Sequence, residues 1–198
     1  MGKLITVVGN SGVGKTALTQ ALCAAGGFAI GMEGHLTRPF QALFKNDPTY
    51  ALANQIDYLL LRAEQERRIR SLPKTGLQDG GLELDFFVFT RLFLRKGLLK
   101  ESEFELCERL YQQVRASQPP PDGILWLEAP LEVIAGRFTR RGRPLEIATR
   151  DDLQAAGTLL QDWLGRVEPA RLLRIDASRD DPGCHFCLPQ ALEFISKV

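Results

Sequence analysis

The sequence has few cysteines, no long apolar run and almost no excess of charge of either sign. Its four cysteines are mostly scattered, which favours a reducing compartment over a disulfide framework. No stretch approaches the roughly 20 uninterrupted apolar residues of a membrane span, and the amino terminus shows no basic-then-apolar signal segment. We therefore expect a cytoplasmic protein without a membrane partner.

The charge balance also limits the partners. There are 25 Lys and Arg against 24 Asp and Glu, so the net charge of +1 gives no electrostatic reason to expect a nucleic-acid partner. A length of 198 residues with 44% hydrophobic residues suits one compact α/β domain spanning residues 1–198. The segment Cys184-His185-Phe186-Cys187 lacks the second ligand pair of a structural zinc site, so we interpret it as a loop carrying two thiols.

The strongest motif is a glycine-rich loop near the amino terminus. It fits the pattern Gly-x4-Gly-Lys-Ser/Thr with the residues Gly9, Asn10, Ser11, Gly12, Val13, Gly14, Lys15 and Thr16. The apolar run 4–8 precedes it and good helix formers follow, which is the strand, loop and helix context of a phosphate-binding loop. Backbone N–H groups and the helix start would hold a di- or triphosphate. Lys15 would reach the terminal phosphates, and the Thr16 hydroxyl would hold Mg²⁺.

Strands and helices alternate along the rest of the chain. Residues 28–32, 124–127 and 172–176 are expected to be strands, whereas residues 74–78 have poor strand propensity. Helices are expected at 47–72, 82–96 and 151–167, from residue 131 into the arginine cluster that starts at Arg137, and from residue 188. Ser102 is expected to open another helix through a capping box. The alternation predicts an α/β fold with a mainly parallel sheet and helices on both faces.

Glu33 follows the second predicted strand directly. Ligands of open α/β sheets bind at the carboxyl ends of strands, so Glu33 is a candidate general base, and the alternative is an ordinary surface acid.

The helix over 47–72 has an apolar face that runs from Leu52 to Ala63 and includes Leu60. Gln55 and Arg62 lie on its flank, where they could read a nucleobase by hydrogen bonds or simply face water. The charged residues of this helix from Arg62 onward are expected to form a solvated, salt-bridged face; they are Arg62, Glu64, Glu66, Arg67, Arg68 and Arg70.

Four arginines fall within seven residues, at Arg137, Arg140, Arg141 and Arg143. Gly142 and a proline interrupt the cluster, which suits a lid over residues 137–148 that closes on polyphosphate. The alternative is a solvated helix end.

With these motifs in this order, and with Asp79 between them, the chain resembles the deoxyribonucleoside kinase family. It is closest in length to the bacterial deoxyadenosine/deoxyguanosine kinases. The resemblance implies a P-loop nucleoside/nucleotide kinase-like three-layer sandwich, a homodimer, ATP and Mg²⁺ as cofactors, and a small-molecule nucleoside substrate. It also implies roles for residues: the catalytic Glu33, Lys15, Arg140 and Arg141; the ATP-binding loop with Arg137 and Arg141; the substrate-binding Glu33, Gln55, Arg62, Asp85 and Glu146; and the metal-binding Thr16 and Asp79.

The chain departs from the family at Asp79-Gly80-Gly81. The family carries an acid followed by Arg-Ser, so here the acid is kept and the arginine is absent; a lid arginine, Arg140 or Arg141, could enter the space that Gly80 leaves. Three functions therefore stay open: a deoxyribonucleoside kinase, a nucleotide-binding protein that has lost activity, and a kinase for another acceptor such as a nucleotide. The apolar run ending at Glu128 offers a second candidate for the metal, and we favour Asp79.

Overall fold

The protein is described here as a computed structural model, and it covers residues 2–31, 38–142 and 149–198. Five parallel strands form one sheet in the order β2-β3-β1-β4-β5. The strands are β1 (Leu4–Val8), β2 (Ala29–Gly31), β3 (Gly76–Asp79), β4 (Gly123–Glu128) and β5 (Leu172–Asp176). Every residue of β1 is buried, as expected for a central strand that is covered on both faces.

Helices follow each of the strands. They are α1 (Lys15–Ala25), α2 (Pro39–Asn46), α3 (Ala51–Arg70), α4 (Leu82–Leu84), α5 (Arg91–Arg95), α6 (Glu101–Ser117), α7 (Leu131–Arg141), α8 (Arg150–Leu164) and α9 (Leu188–Lys197). A π-helical segment, Asp85–Thr90, joins α4 to α5, so residues 82–95 are helical throughout. Single 3₁₀ turns occupy Pro48–Tyr50 and Pro169–Arg171.

Side chains of the central strands alternate between two apolar cores. Ile5 and Val7 pack into the core that α1 and α9 complete, whereas Ile124 and Trp126 pack against α8 and the 82–95 helix. The sheet is therefore sandwiched between helices, which confirms the predicted three-layer α/β class. Within the described part of the chain, no helix has both the length and the apolar character needed to cross a bilayer.

Strand β3 was not expected from its propensities. Its four residues are all buried, and it pairs with β1 on one side and β2 on the other. Gly76 fits there because an added Cβ would lie 2.4 Å from Ile69 Cγ2. Packing and pairing on both sides thus outweigh the weak intrinsic preference of the segment.

The buried face of α3 also differs from the prediction. Leu60 is 44% exposed, whereas Arg62, Glu66 and Arg70 are only 1%, 0% and 5% exposed. The prediction of a fully solvated charged face is therefore wrong for these three residues, although the remaining members of that set are exposed. The buried charges are tolerated because partners from other elements satisfy them.

Smaller differences concern helix ends and thiols. Lys100, and not Ser102, precedes the first residue of α6, and its N–H donates to the Glu103 carboxylate at 2.7 Å. Helix α2 was missed altogether, and α8 ends at Leu164. Cys184 and Cys187 are buried free thiols at the start of α9, and burial raises the pKa of Cys184 to about 11. Such thiols pack as apolar groups and are poor nucleophiles.

Candidate active site

The phosphate-binding loop connects β1 to α1, as its motif predicts. Gly9, Gly12 and Gly14 have φ values of +145°, +88° and +117°, which glycine tolerates far better than residues with side chains. An added Cβ on Gly12 would lie 3.1 Å from the backbone nitrogen of Phe138, so the loop also packs closely against α7. Lys15 Nζ donates to the carbonyls of Gly9 and Asn10, both at 3.0 Å. Its ammonium group therefore lies over the loop.

Asp79 lies beside this loop at the carboxyl end of β3. The sheet register pairs it with Val7, and the Thr16 hydroxyl donates to its Oδ2 at 2.6 Å. Its Oδ1 is buried and has no hydrogen-bond partner among the described residues. A hydroxyl and a carboxylate with a spare oxygen fit the oxygen ligands that Mg²⁺ prefers.

The rest of the structure is consistent with that kind of metal site. Within the described ranges, no group of three or more His, Cys, Asp or Glu could hold a metal ion. Mg²⁺ commonly uses one or two protein ligands together with substrate phosphates, so a larger cluster is not required. Glu128, the rival candidate, pairs with Asp176 in the sheet register and lines a separate cavity with Asn10. Asp79 is thus the acid in contact with Thr16, and its metal role stays a prediction.

Three of the predicted substrate-binding residues lie together behind Asp79. Arg62 Nε donates to Asp85 Oδ2 at 2.7 Å, and Arg62 Nη1 donates to the backbone carbonyl of Asp79 at 2.9 Å. Gln55 Nε2 donates to the backbone carbonyl of Asp85 at 3.0 Å. The Thr90 hydroxyl donates to the same carbonyl at 2.9 Å. These side-chain donors accompany the π-helical turn, a feature often found at functional sites.

Gly80 is surrounded differently from what the sequence suggested. Its φ is +92°, and an added Cβ would lie 2.7 Å from Arg62 Nη2. The expectation of open space for a lid arginine beside Gly80 is therefore wrong, because the Arg62 guanidinium already occupies that position. An arginine from α3 therefore lies beside Gly80, where the family resemblance leads one to expect an arginine that follows Asp79 in the chain.

The predicted lid begins on regular helix. Arg137, Arg140 and Arg141 belong to α7, which ends before Gly142. Arg137 donates to the carbonyls of Ala177 at 2.6 Å and Arg179 at 2.5 Å, so the loop after β5 fixes its position.

The other two described arginines of the cluster differ in their surroundings. Arg140 is exposed, and its Nη1 lies 4.0 Å from Asp180 Oδ2. The Arg141 guanidinium lies 5.6 Å from the centre of the Phe138 ring. Arg143, Glu33 and Glu146 lie outside the described residues.

A small cavity that was not predicted from sequence lies beside the phosphate loop. Its volume is about 130 Å³, and Gly14, Ala17 and Arg137 line it together with the loop after β5. In that loop, the Arg179 guanidinium lies 4.9 Å from the centre of the Phe186 ring, and Phe186 is 61% exposed. The position of the loop after a parallel strand was the available signal, because ligands bind at that edge of such sheets.

Comparison with known proteins agrees with this geometry. The sequence model described as deoxynucleoside kinase matches residues 5–184. A deoxyadenosine/deoxycytidine kinase from Bacillus subtilis (strain 168) is 27% identical over 87% of this chain and 81% of its own length. A deoxyadenosine kinase from Dictyostelium discoideum is 28% identical over 73% of this chain, which spans 59% of that relative.

Solved structures show the same fold. Deoxyadenosine kinase from M. mycoides with the products dCMP and a flexible dCDP superposes with a TM-score of 0.84 at 17% identity, covering 98% of this chain and 100% of that one. The same enzyme with bound dATP gives a TM-score of 0.81 at 16% identity, with 98% and 99% coverage. The parallel sheet, the phosphate loop and the family match over most of its length show that this chain belongs to the deoxynucleoside kinase family.

Proposed function

We propose that the protein transfers the γ-phosphoryl group of ATP to the 5′-hydroxyl of a deoxyribonucleoside. The observation that carries this proposal is the double contact of Asp79. Its carboxylate accepts from Thr16 of the phosphate loop, and its backbone carbonyl accepts from Arg62, which pairs with Asp85. One residue therefore connects the group that binds phosphate to the group expected to bind the nucleoside.

On the donor side, the loop N–H groups and Lys15 bind the β- and γ-phosphates. Thr16 and Asp79 would hold Mg²⁺, which would supply positive charge against the phosphate oxygens. Arg140 and Arg141 add positive charge as the phosphoryl group moves, and this electrostatic stabilisation is the main catalytic contribution in such reactions. We place the adenine ring in the cavity between Gly14 and the loop after β5, beside Arg137.

On the acceptor side, Glu33 accepts the proton of the 5′-hydroxyl, and Glu146 contacts the sugar. Gln55 and the Arg62–Asp85 pair contact the base. A carboxylate accepts from an exocyclic amino group while a guanidinium donates to ring nitrogens or carbonyls, so this pair favours bases with both functions. Deoxyadenosine and deoxycytidine, which appear in the names of the curated relatives, are therefore the first substrates to test.

The alternative of an inactive nucleotide-binding protein was based on the missing arginine at Gly80. Arg62 donates to the backbone carbonyl of Asp79, so a guanidinium from α3 still lies next to Asp79. This favours an active enzyme over an inactive relative. A nucleotide acceptor remains the other alternative, since fold alone does not determine substrate. The lid over 137–148, the homodimer and the cytoplasmic location stay predictions.

The decisive experiment measures ADP release from ATP with a panel of the four deoxynucleosides and their monophosphates, with mass spectrometry of the products. We expect deoxynucleoside monophosphates from at least one nucleoside. Lys15→Ala should remove most ATP affinity in calorimetry, because the phosphates lose their principal point charge. Lys74→Ala, an exposed lysine outside the loop, is the matched control.

Other results of the substrate panel and of the calorimetry would support an alternative or refute the proposal. Products from monophosphates alone would establish a nucleotide kinase. ATP binding without any transfer would establish the inactive relative. Unchanged ATP binding by Lys15→Ala would refute the assignment of the phosphate loop.

A further inference from the structure

A cavity of about 390 Å³ lies at the edge of the sheet opposite the phosphate loop. Ile124, which lines it, is near the start of β4, whereas the loop follows the end of β1. Because the strands are parallel, the two sites are on opposite edges. We call it the amino-edge cavity, and its chemistry depends on one carboxylate, Glu83, on three aromatic rings and on three arginines that line it.

A buried carboxylate forms part of its wall. Glu83 is 6% exposed, and its Oε1 lies 2.7 Å from Arg115 Nε. Neither Oε1 nor Oε2 has a hydrogen-bond partner among the residues that the structure describes, so Arg115 contributes an ion pair and Oε2 is left without a donor. Arg115 also donates through Nη2 to both oxygens of Glu66, at 2.7 and 2.9 Å. One guanidinium is therefore paired with two buried carboxylates. The cavity wall therefore contains a buried carboxylate oxygen that lacks a donor, which is costly unless a ligand supplies one.

Aromatic rings form the flat part of the cavity. Phe87 and Trp163 are stacked, with ring centres 5.7 Å apart and planes at 19°. The Tyr111 ring packs edge-on against the Phe87 ring, with ring centres 5.3 Å apart. A volume of about 390 Å³ with such walls lies within the range of sites for small aromatic ligands.

Guanidinium groups surround the opening. Arg91, Arg95 and Arg166 line the cavity, and none of them forms an ion pair with a carboxylate in the described ranges. The Arg91 guanidinium lies 5.3 Å from the centre of the Phe87 ring, next to the aromatic surface. Asp162 and Glu168 also line the cavity, so the local field is mixed. Unpaired guanidinium groups are nevertheless well suited to a phosphate, which they bind through two N–H groups at once.

We propose that the amino-edge cavity is a second nucleotide site, which binds a nucleoside monophosphate whose base carries an exocyclic amino group. The amino group donates to Glu83 Oε2, the base lies against the aromatic rings, and the phosphate contacts Arg95 and Arg166. The proposal is independent of the kinase reaction, because it requires neither the phosphate loop nor Glu33. A segment of another protein fits less well, since the exposed residues around the opening are mostly charged.

The test uses Trp163 as a local probe. The chain has two tryptophans, so Trp126→Phe leaves Trp163 as the only one. In a Lys15→Ala/Trp126→Phe protein, checked for folding by circular dichroism, we expect dAMP to change Trp163 fluorescence saturably. Arg95→Ala/Arg166→Ala should lower the affinity for dAMP roughly tenfold or more, because hydrogen bonds to a charged group typically contribute at least that factor to affinity. Arg68→Ala/Arg109→Ala removes the same charge from exposed positions elsewhere and should change nothing.

Glu83→Gln tests the base end. The preference for dAMP over dTMP should fall several-fold, while binding of inorganic tripolyphosphate should not change. Equal binding of tripolyphosphate and dAMP in every variant would mean an adventitious ion only, and would overturn the proposal. So would the absence of a fluorescence change, or a loss of self-association in Arg95→Ala/Arg166→Ala that identifies a second copy as the occupant. Failure of phosphoryl transfer would leave these binding results unaffected, so the two proposals fail separately.

Discussion

Replacing Gly80 with alanine separates backbone strain from displacement of Arg62. At φ +92° an L-residue is strained, which costs on the order of 1–2 kcal/mol. The new Cβ would also lie 2.7 Å from Arg62 Nη2, so the guanidinium must move away from the Asp79 carbonyl. Losing a buried charge-assisted hydrogen bond adds about 1.5–3 kcal/mol. We therefore expect Gly80→Ala to lose about 3 kcal/mol or more of unfolding free energy.

Gly97→Ala is the matched control. Gly97 also has a positive φ, of +68°, but an added Cβ there meets no atom within 4 Å. It should cost only the backbone strain, about 1–2 kcal/mol. Urea unfolding measures both variants, and steady-state kinetics should show a raised KM for the nucleoside in Gly80→Ala alone, with the KM for ATP unchanged. Equal loss of stability in the two variants, with identical kinetics, would refute the role of the Gly80–Arg62 contact.

The same geometry reverses an expectation drawn from sequence. The family resemblance suggests that Gly80→Arg should raise turnover by restoring the missing arginine. Since the Arg62 guanidinium occupies that space, we expect this variant to be destabilised and slower. Higher turnover in Gly80→Arg would contradict this prediction, because it would mean that the Arg62 side chain can move away without loss of activity.

Three further predictions concern the metal and the buried charges. Asp79→Asn should weaken the Mg²⁺ dependence of ATP binding in calorimetry, and Glu128→Gln should not; the reverse would move the metal to β4. Arg115→Met should cost about 3–5 kcal/mol in urea unfolding, because it leaves two buried carboxylates unpaired, whereas the exposed Arg109→Met should cost little. Burial raises the pKa of Glu83 from 4.5 to about 7, so the folded state holds its proton more tightly than the unfolded chain. Unfolding free energy should therefore fall between about pH 4.5 and 7, by on the order of 2–3 kcal/mol relative to Glu83→Gln, and equal pH profiles for the two proteins would contradict this.

The features predicted correctly from sequence are those encoded by consecutive residues. The phosphate loop was recognisable because its glycines, Lys15 and Thr16 have a fixed spacing, and β1 and β4 because their apolar runs suit a strand covered on both faces. The contact between Thr16 and Asp79 was implied only through the family resemblance. It depends on the register of two strands separated by about 70 residues, which local pattern does not encode.

The features missed are those that depend on partners far along the chain. Arg70 is buried because it pairs with Asp122, and Glu66 because it pairs with Arg115. Both partners lie at least 49 residues away in sequence, so the charges looked like an exposed helix face. Arg62 filling the space beside Gly80 belongs to the same class, since the two residues meet only when α3 packs behind β3.

The strand order has a consequence for how the chain folds. Strand β1 is central, but its neighbours β3 and β4 begin only at Gly76 and Gly123. During synthesis, more than a third of the chain must therefore be made before Leu4–Val8 can pair with β3. Well over half must be made before it can pair with β4. Pairings of such long sequence separation fold slowly, and an apolar strand with open edges can associate with other chains in the meantime. The central position that protects β1 in the folded protein thus leaves it exposed and prone to aggregation in the nascent one.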